Sequence, residues 1–189
     1  MTQEELLTKL AAKLPQLEKH AAQVKDYLTM QLRSADDLLP AARTLKNDLG
    51  FEYLEIVTVV DWLGPVHADG FIRNPNPNVF LPDGATPQNF PGATPNFAYR
   101  PMFEILWVFG NLPERTRLFL KFELPRDGAR VPSLVGLFKA ADWQERETFD
   151  LYGVVFDGHP NLTKILTPDF TQGHPLRKDY IHVKDRYDE

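Results

Sequence analysis

With 189 residues, 43% of them hydrophobic and 25% charged, the chain is long enough to bury about 70% of its extended surface without a disulfide or metal. A formal net charge of -5 argues against nucleic acid, because phosphate binding requires a basic field. Cysteine is absent, which excludes disulfides, a thiolate nucleophile, Cys-ligated zinc and a thiolate-held iron–sulfur cluster.

The opening MTQEELLTKL carries Glu4 and Glu5 and has no continuous apolar region, so it does not read as a secretory signal. No apolar run approaches a membrane span; the longest are strand-sized, such as ILWVF at Ile105 to Phe109. Leu6, Leu7, Leu10, Leu14 and Leu17 predict an amphipathic helix over 3–20 that Pro15 breaks or kinks at Leu14. Val24 to Leu32 alternates as a strand, with Asp26 on its apolar side. Ser34, with Asp37 three residues on, offers a helix start; the stripe Leu38, Ala41, Ala42, Leu45 and Leu49 then runs to Gly50. Leu54 to Trp62 is rich in β-branched residues and apolar on both faces, the pattern of a central strand.

Between Gly64 and Pro101 the character changes. Eight of the chain's 16 prolines lie here beside Phe71, Phe80, Phe90, Phe97 and Tyr99, which predicts an extended, low-charge arm, either docked on a surface or mobile. Beyond it, Phe103–Gly110 and Thr116–Leu124 are separated by NLPER and predict an antiparallel pair. The order of elements implies an α+β fold, a mixed four-stranded sheet with helices on one face. The first two strands should run parallel through a right-handed crossover. The expected division is an N-terminal helix over 1–22, an α+β domain over 23–153 with the insertion at 64–101, and an irregular C-terminal extension over 154–189.

From Ser133 the chain reads SLVGLFKAADWQERETFDLYG. As one helix it would put Glu145 amid Leu134, Leu137, Phe138, Ala141, Phe149 and Tyr152, where a buried carboxylate needs a partner. As two, Asp142 starts the second and Glu145 reaches back to the Asp142 amide; the spacing favours this capping arrangement. The other face carries Trp143, Arg146, Glu147 and Asp150, and Arg146 and Asp150 are spaced to pair along the helix. Such a face is either solvated or built to grip a neighbour, since Trp and Arg dominate protein–protein contacts. Gly153 ends the helix. His159 and His174 both stand in GHP turns, before Pro160 and Pro175, with a spacing that matches no zinc signature. A free-standing metal-dependent hydrolase using these histidines and nearby aspartates is the remote alternative. The chain's serines, Ser34 and Ser133, read as caps and not as nucleophiles.

The run ERETFDLYGVVFDGHPNLTKILTPDF, followed by GHPLRKDY, closely resembles the C subunit of respiratory complex I, the proton-pumping NADH–quinone oxidoreductase. The likeness covers Glu145 to Tyr180. The chain departs from the family pattern at Ile181, where a proline often follows the tyrosine, and in its longer proline-rich arm. The resemblance implies a cofactor-free subunit of the hydrophilic arm, lying against the quinone-reducing subunit and its neighbouring iron–sulfur protein. FMN and iron–sulfur clusters would reside in those partners. It further implies a peripheral place on the cytoplasmic side of the inner or plasma membrane, reached only through the complex. Trp143, Glu145, Arg146, Glu147, Asp150, Tyr152, Gly153, His159, Pro160, His174, Pro175, Arg177, Lys178, Asp179 and Tyr180 would form its interface or lock the turns that present it. The equivalent subunit of a membrane-bound hydrogenase, or of a quinone reductase with another donor, is the alternative within the family.

Overall fold

The computed structural model describes residues 2–24, 26–63 and 99–181. Helix α1 (Gln3–Lys13) starts from a reciprocal cap in which the Thr2 hydroxyl accepts the Glu5 amide and Glu5 accepts the Thr2 amide. It stops before Leu14, as Pro15 dictates. The residues beyond it do not resume the helix; β1 (Leu17–Lys19) is instead an edge strand, antiparallel to β2 (Leu28–Leu32). Strand β2 is shorter than its alternation suggests, because Val24 pairs back on Tyr27 through a turn with Asp26 at φ 67°. Ser34 caps a 3-10 turn over Ala35–Asp37, and α2 (Leu38–Leu49) follows with all five stripe residues buried.

Strands β3 (Tyr53–Asp61), β4 (Met102–Asn111) and β5 (Thr116–Pro125) run antiparallel in turn, and β2 pairs parallel with β5. The sheet therefore has five strands in the order β1-β2-β5-β4-β3, one more than the four expected. Strand β3 lies at an edge and not at the centre. It shares its direction with β2 but is separated from it by β4 and β5. The Gly64–Pro101 arm, up to Ala98, lies outside the described residues.

Directly opposed residues share a face. Phe103, Ile105, Trp107 and Phe109 on β4 line up with Leu124, Phe122, Leu120 and Leu118 on β5. That face packs on Leu6 and Leu10 of α1, on the α2 stripe and on Phe138 as one core. Each fully buried Leu or Phe there contributes about 1.5–3 kcal/mol. The opposite face carries ion pairs instead: Lys121 with Glu104, Arg117 with Glu55, and Arg100 with Glu123.

After β5 the chain forms β6 (Arg130–Pro132), a turn closed by Leu134 accepting from Leu137 and Phe138, helix α3 (Ala141–Tyr152) and β7 (Val155–Asp157), which pairs parallel with β6. Among the described residues, no helix is long and apolar enough to cross a membrane.

Candidate docking interface

Helix α3 is fixed on both flanks before it presents anything outward. On one side the Gln144 amide takes the place of a neighbouring strand: its Oε1 accepts the Val57 amide at 2.5 Å and its Nε2 donates to the Glu55 carbonyl at 3.4 Å. These are edge groups of β3 beside its bulge. On the core side Glu145 is fully buried. It does not reach back to the Asp142 amide, and α3 begins at Ala141 with no side-chain cap. Its Oε1 accepts the Leu134 amide at 2.7 Å and its Oε2 the Ser133 hydroxyl at 2.6 Å, stapling the preceding turn to the helix. The tertiary partner wins because burial leaves the carboxyl no other acceptable environment. Burial pushes Glu145 up to about 7, against the Ser133 and Leu134 bonds that favour its charged form.

Arg146 and Asp150 do not bond to each other. Each holds the irregular segment that follows β7. Arg146 donates from Nε to the Thr163 carbonyl and from its terminal nitrogen to the Thr163 hydroxyl and the Lys164 carbonyl, all at 3.1 Å. Asp150, fully buried, accepts three consecutive amides at one oxygen: Ile165 at 3.0 Å, Leu166 at 2.8 Å and Thr167 at 2.8 Å. Its other oxygen accepts the Thr167 hydroxyl at 2.5 Å. Burial raises the Asp150 carboxyl, and the Thr167 hydroxyl with these amides more than reverses that, leaving it below the usual range. A stretch with almost no regular structure thus obtains a run of its backbone partners from one helix.

The two histidines serve opposite ends of α3. His159 Nδ1 accepts the Asn161 amide at 3.0 Å, so Nε2 carries the proton and donates to the Asp142 carbonyl at 3.1 Å. His174 donates from Nδ1 to the Asp150 carbonyl at 2.9 Å. Eight residues of helix, about 12 Å, separate these anchor carbonyls, so the rings do not converge on an ion. Among the described residues no three His, Asp or Glu side chains are grouped to hold a metal. Gly158 and Gly173 supply the positive φ before each histidine, and Pro160 and Pro175 follow it. Gly153 is doubly required: its φ is 78°, and a Cβ there would collide with His174 Nε2 and stand 2.8 Å from the Arg177 guanidinium.

The last described residues are tied to the end of the sheet. Arg177 donates to the Tyr152 carbonyl at 2.6 Å and lies 5.2 Å from the Phe103 ring centre. Arg126 covers the same ring at 5.5 Å and forks onto Asp61, with both bonds at 3.0 Å, and onto Asp179 at 2.9 Å. The Lys178 amide donates to Asp61 at 2.9 Å, and the Tyr180 amide closes a turn on the Arg177 carbonyl. Tyr152 meets Phe103 edge-on. The sequence did not single out Asp61, Phe103, Arg126, Ser133 or Gln144 for this role. A local signal existed only for Asp61, a carboxylate ending an otherwise apolar strand.

With most of these charges bonded internally, several large apolar side chains are left exposed. Trp143 is 70% exposed, and Leu166, Phe170, Leu176 and Ile181 are each at least half exposed. Glu147 stands beside them with no bond or ion pair among the described residues. Large side chains held out on a locked framework are the make-up of a contact surface.

Comparison with known proteins agrees with this architecture. The family model described as "Respiratory-chain NADH dehydrogenase, 30 Kd subunit" matches residues 32–186. A protein of Roseiflexus sp. (strain RS-1), named as the C subunit of NADH-quinone oxidoreductase, is 32% identical over 176 residues, 92% of this chain and 81% of that protein. A protein of the same name from Rhodopseudomonas palustris (strain BisB18) is 36% identical over 155 residues, 80% of this chain and 73% of that one. Among solved structures, the trypsin-resistant fragment (1-134) of Nqo5 superposes with a TM-score of 0.52 at 20% identity, covering 86% of this chain and all of the fragment. A chain of the membrane-bound sulfane sulfur reductase, an archaeal respiratory membrane complex, gives 0.65 at 22%, covering 94% of this chain and 84% of that one. The fold is shared with both. This chain belongs to the family of the 30 Kd subunit of respiratory-chain NADH dehydrogenase.

Proposed function

We propose that the chain is a redox-centre-free subunit of the hydrophilic arm of NADH–quinone oxidoreductase. It lies against the quinone-reducing subunit and the adjacent iron–sulfur subunit and holds their geometry, while FMN and the iron–sulfur clusters reside in those partners. Electrons pass from NADH to quinone through the neighbours, at separations that a rigid subunit keeps constant. Its membrane association runs through the complex alone, on the cytoplasmic side of the inner or plasma membrane.

The observation that carries this reading is the division of labour on α3 and the segment it holds. Arg146, Asp150, Arg177 and Asp179 lock the C-terminal third, and large apolar side chains are left facing outward. The lack of any cysteine agrees, since thiolates are what hold iron–sulfur clusters. The names of the two relatives favour the NADH-linked enzyme over a hydrogenase or a reductase with another donor.

The test is a native pull-down of the tagged chain with identification of what comes with it. Recovery of flavin- and cluster-bearing subunits that oxidise NADH with quinone is expected, and the separated chain should be colourless and inactive. Turnover by the separated chain, or its presence in cells without companions, would overturn the reading.

A further inference from the structure

Five charged side chains lie on α3, and four of them are committed internally: Glu145, Arg146 and Asp150 through the bonds above, and Asp142 at 3.4 Å from the His159 ring. Glu147 is the one left. Trp143, Glu147 and Leu151 follow one another at one-turn spacing, so they form a line about 12 Å long on the helix. At its end the Leu151 carbonyl accepts the Leu176 amide at 3.1 Å, and Leu176 is one of the residues lining a cleft. That cleft, about 390 Å³, is walled by Val60, Trp62, Tyr99, Tyr152, Leu176 and Lys178. Its volume suits a few side chains of a ligand or a peptide.

The charges of this strip are arranged in order. Asp61 within the cleft is neutralised by Arg126 and by the Lys178 amide. The Lys178 ammonium has no partner among the described residues, although its backbone is pinned. The Tyr152 hydroxyl in the cleft is raised by burial first, then by the Asp61 and Glu147 charges. The strip therefore presents an indole, then a carboxylate with no partner among the described residues, then a cleft whose lining includes aromatic rings and Lys178.

We infer that one segment of a neighbouring subunit lies along this strip, bringing a cation to Glu147, an apolar side chain into the cleft and a carboxylate to Lys178. This rests on the reading of the chain as a docked subunit and adds where the contact is made and with what chemistry. Opposite charges at fixed positions set the direction in which the segment lies, because reversing it would face like charges together.

The experiment measures how much of the chain is retained in the purified complex, with a tag on a different subunit. Glu147→Lys and Lys178→Glu should each lower retention about tenfold, Trp143→Ala by a similar factor, and Leu112→Ser, on the β4–β5 hairpin, not at all. Melting of each full-length variant alone should match the parent, since all four side chains are exposed. Full retention of both charge reversals overturns the inference, as does an equal loss for Leu112→Ser. So does dimerisation of the isolated chain that Glu147→Lys abolishes, since the strip would then serve a second copy. If the parent chain itself fails to co-purify, the proposed function falls, whereas a retained parent with equally retained variants removes only the strip.

Discussion

The sheet with α1 and α2, and the stretch from α3 to Ile181, solve the same problem by different physics. In the first, strands satisfy one another and the inward side chains are Leu, Ile, Phe and Trp. In the second, a backbone with one three-residue strand after α3 is satisfied by Arg146, Asp150, His174 and Arg177 from or onto that helix. Apolar burial is non-directional and fails as a whole; a polar frame fixes each carbonyl and amide singly and can be opened one bond at a time. The lesson is that dense charge in this segment is mostly internal scaffolding, and large apolar side chains are among what the scaffolding leaves exposed.

The widest effect should come from the joint between the two regions. Phe103 is fully buried in the sheet core and carries two guanidinium groups of the C-terminal frame. Phe103→Ala should cost about 4 kcal/mol in urea unfolding, with both regions melting together. Next comes Glu145, whose carboxyl is raised from 4.5 to about 7 in the fold. A raised acid adds stability that is complete below about pH 4.5 and lost by pH 7, as the unfolded chain ionises first. Stability relative to Glu145→Gln should fall by on the order of 3 kcal/mol across that interval, and a flat difference would mean the site is wetter than the structure indicates.

Asp150→Asn sharpens the contrast. Replacing the charge that three amides share should cost about 2 kcal/mol, and limited proteolysis should cut near 163–171 while the far-ultraviolet signal of the sheet persists. Simultaneous loss of both would merge the two regions into one unit. The smallest effect belongs to Arg130→Ala. Its ion pair with Asp157 is about half exposed on each side, so the melting temperature should hardly move, and any difference should shrink further in high salt.

Where local pattern and tertiary demand coincide, the sequence is readable. The α2 stripe, the β4–β5 hairpin, the stop at Gly153 and both GHP turns follow from side-chain periodicity and glycine geometry alone. Three features escape it because their causes lie far along the chain. Strand β1 is three residues long and exists through pairing with β2, which no periodicity announces. Strand β3 is apolar on both faces yet peripheral, because its free edge is covered by Gln144, a helix residue 87 positions after Val57. Glu145 has capping-box spacing from Asp142, and the local option loses to Ser133 and Leu134 once the side chain is buried. For Arg146, Glu147 and Asp150 the sequence supplies the face but not the direction: inward or outward depends on whether a later segment passes over that part of the helix.

The Asp61–Lys178 bond joins residues 117 positions apart. During synthesis β3, β4 and β5 emerge long before Arg177 to Asp179 do, and domains form from the N-terminus onward. A nascent or truncated chain thus carries an Asp61 short of one donor and a Phe103 ring shielded by a single guanidinium. Completion of this corner therefore waits until Arg177 to Asp179 have been made, and only then are the sheet end and the C-terminal frame joined through Asp61 and Phe103.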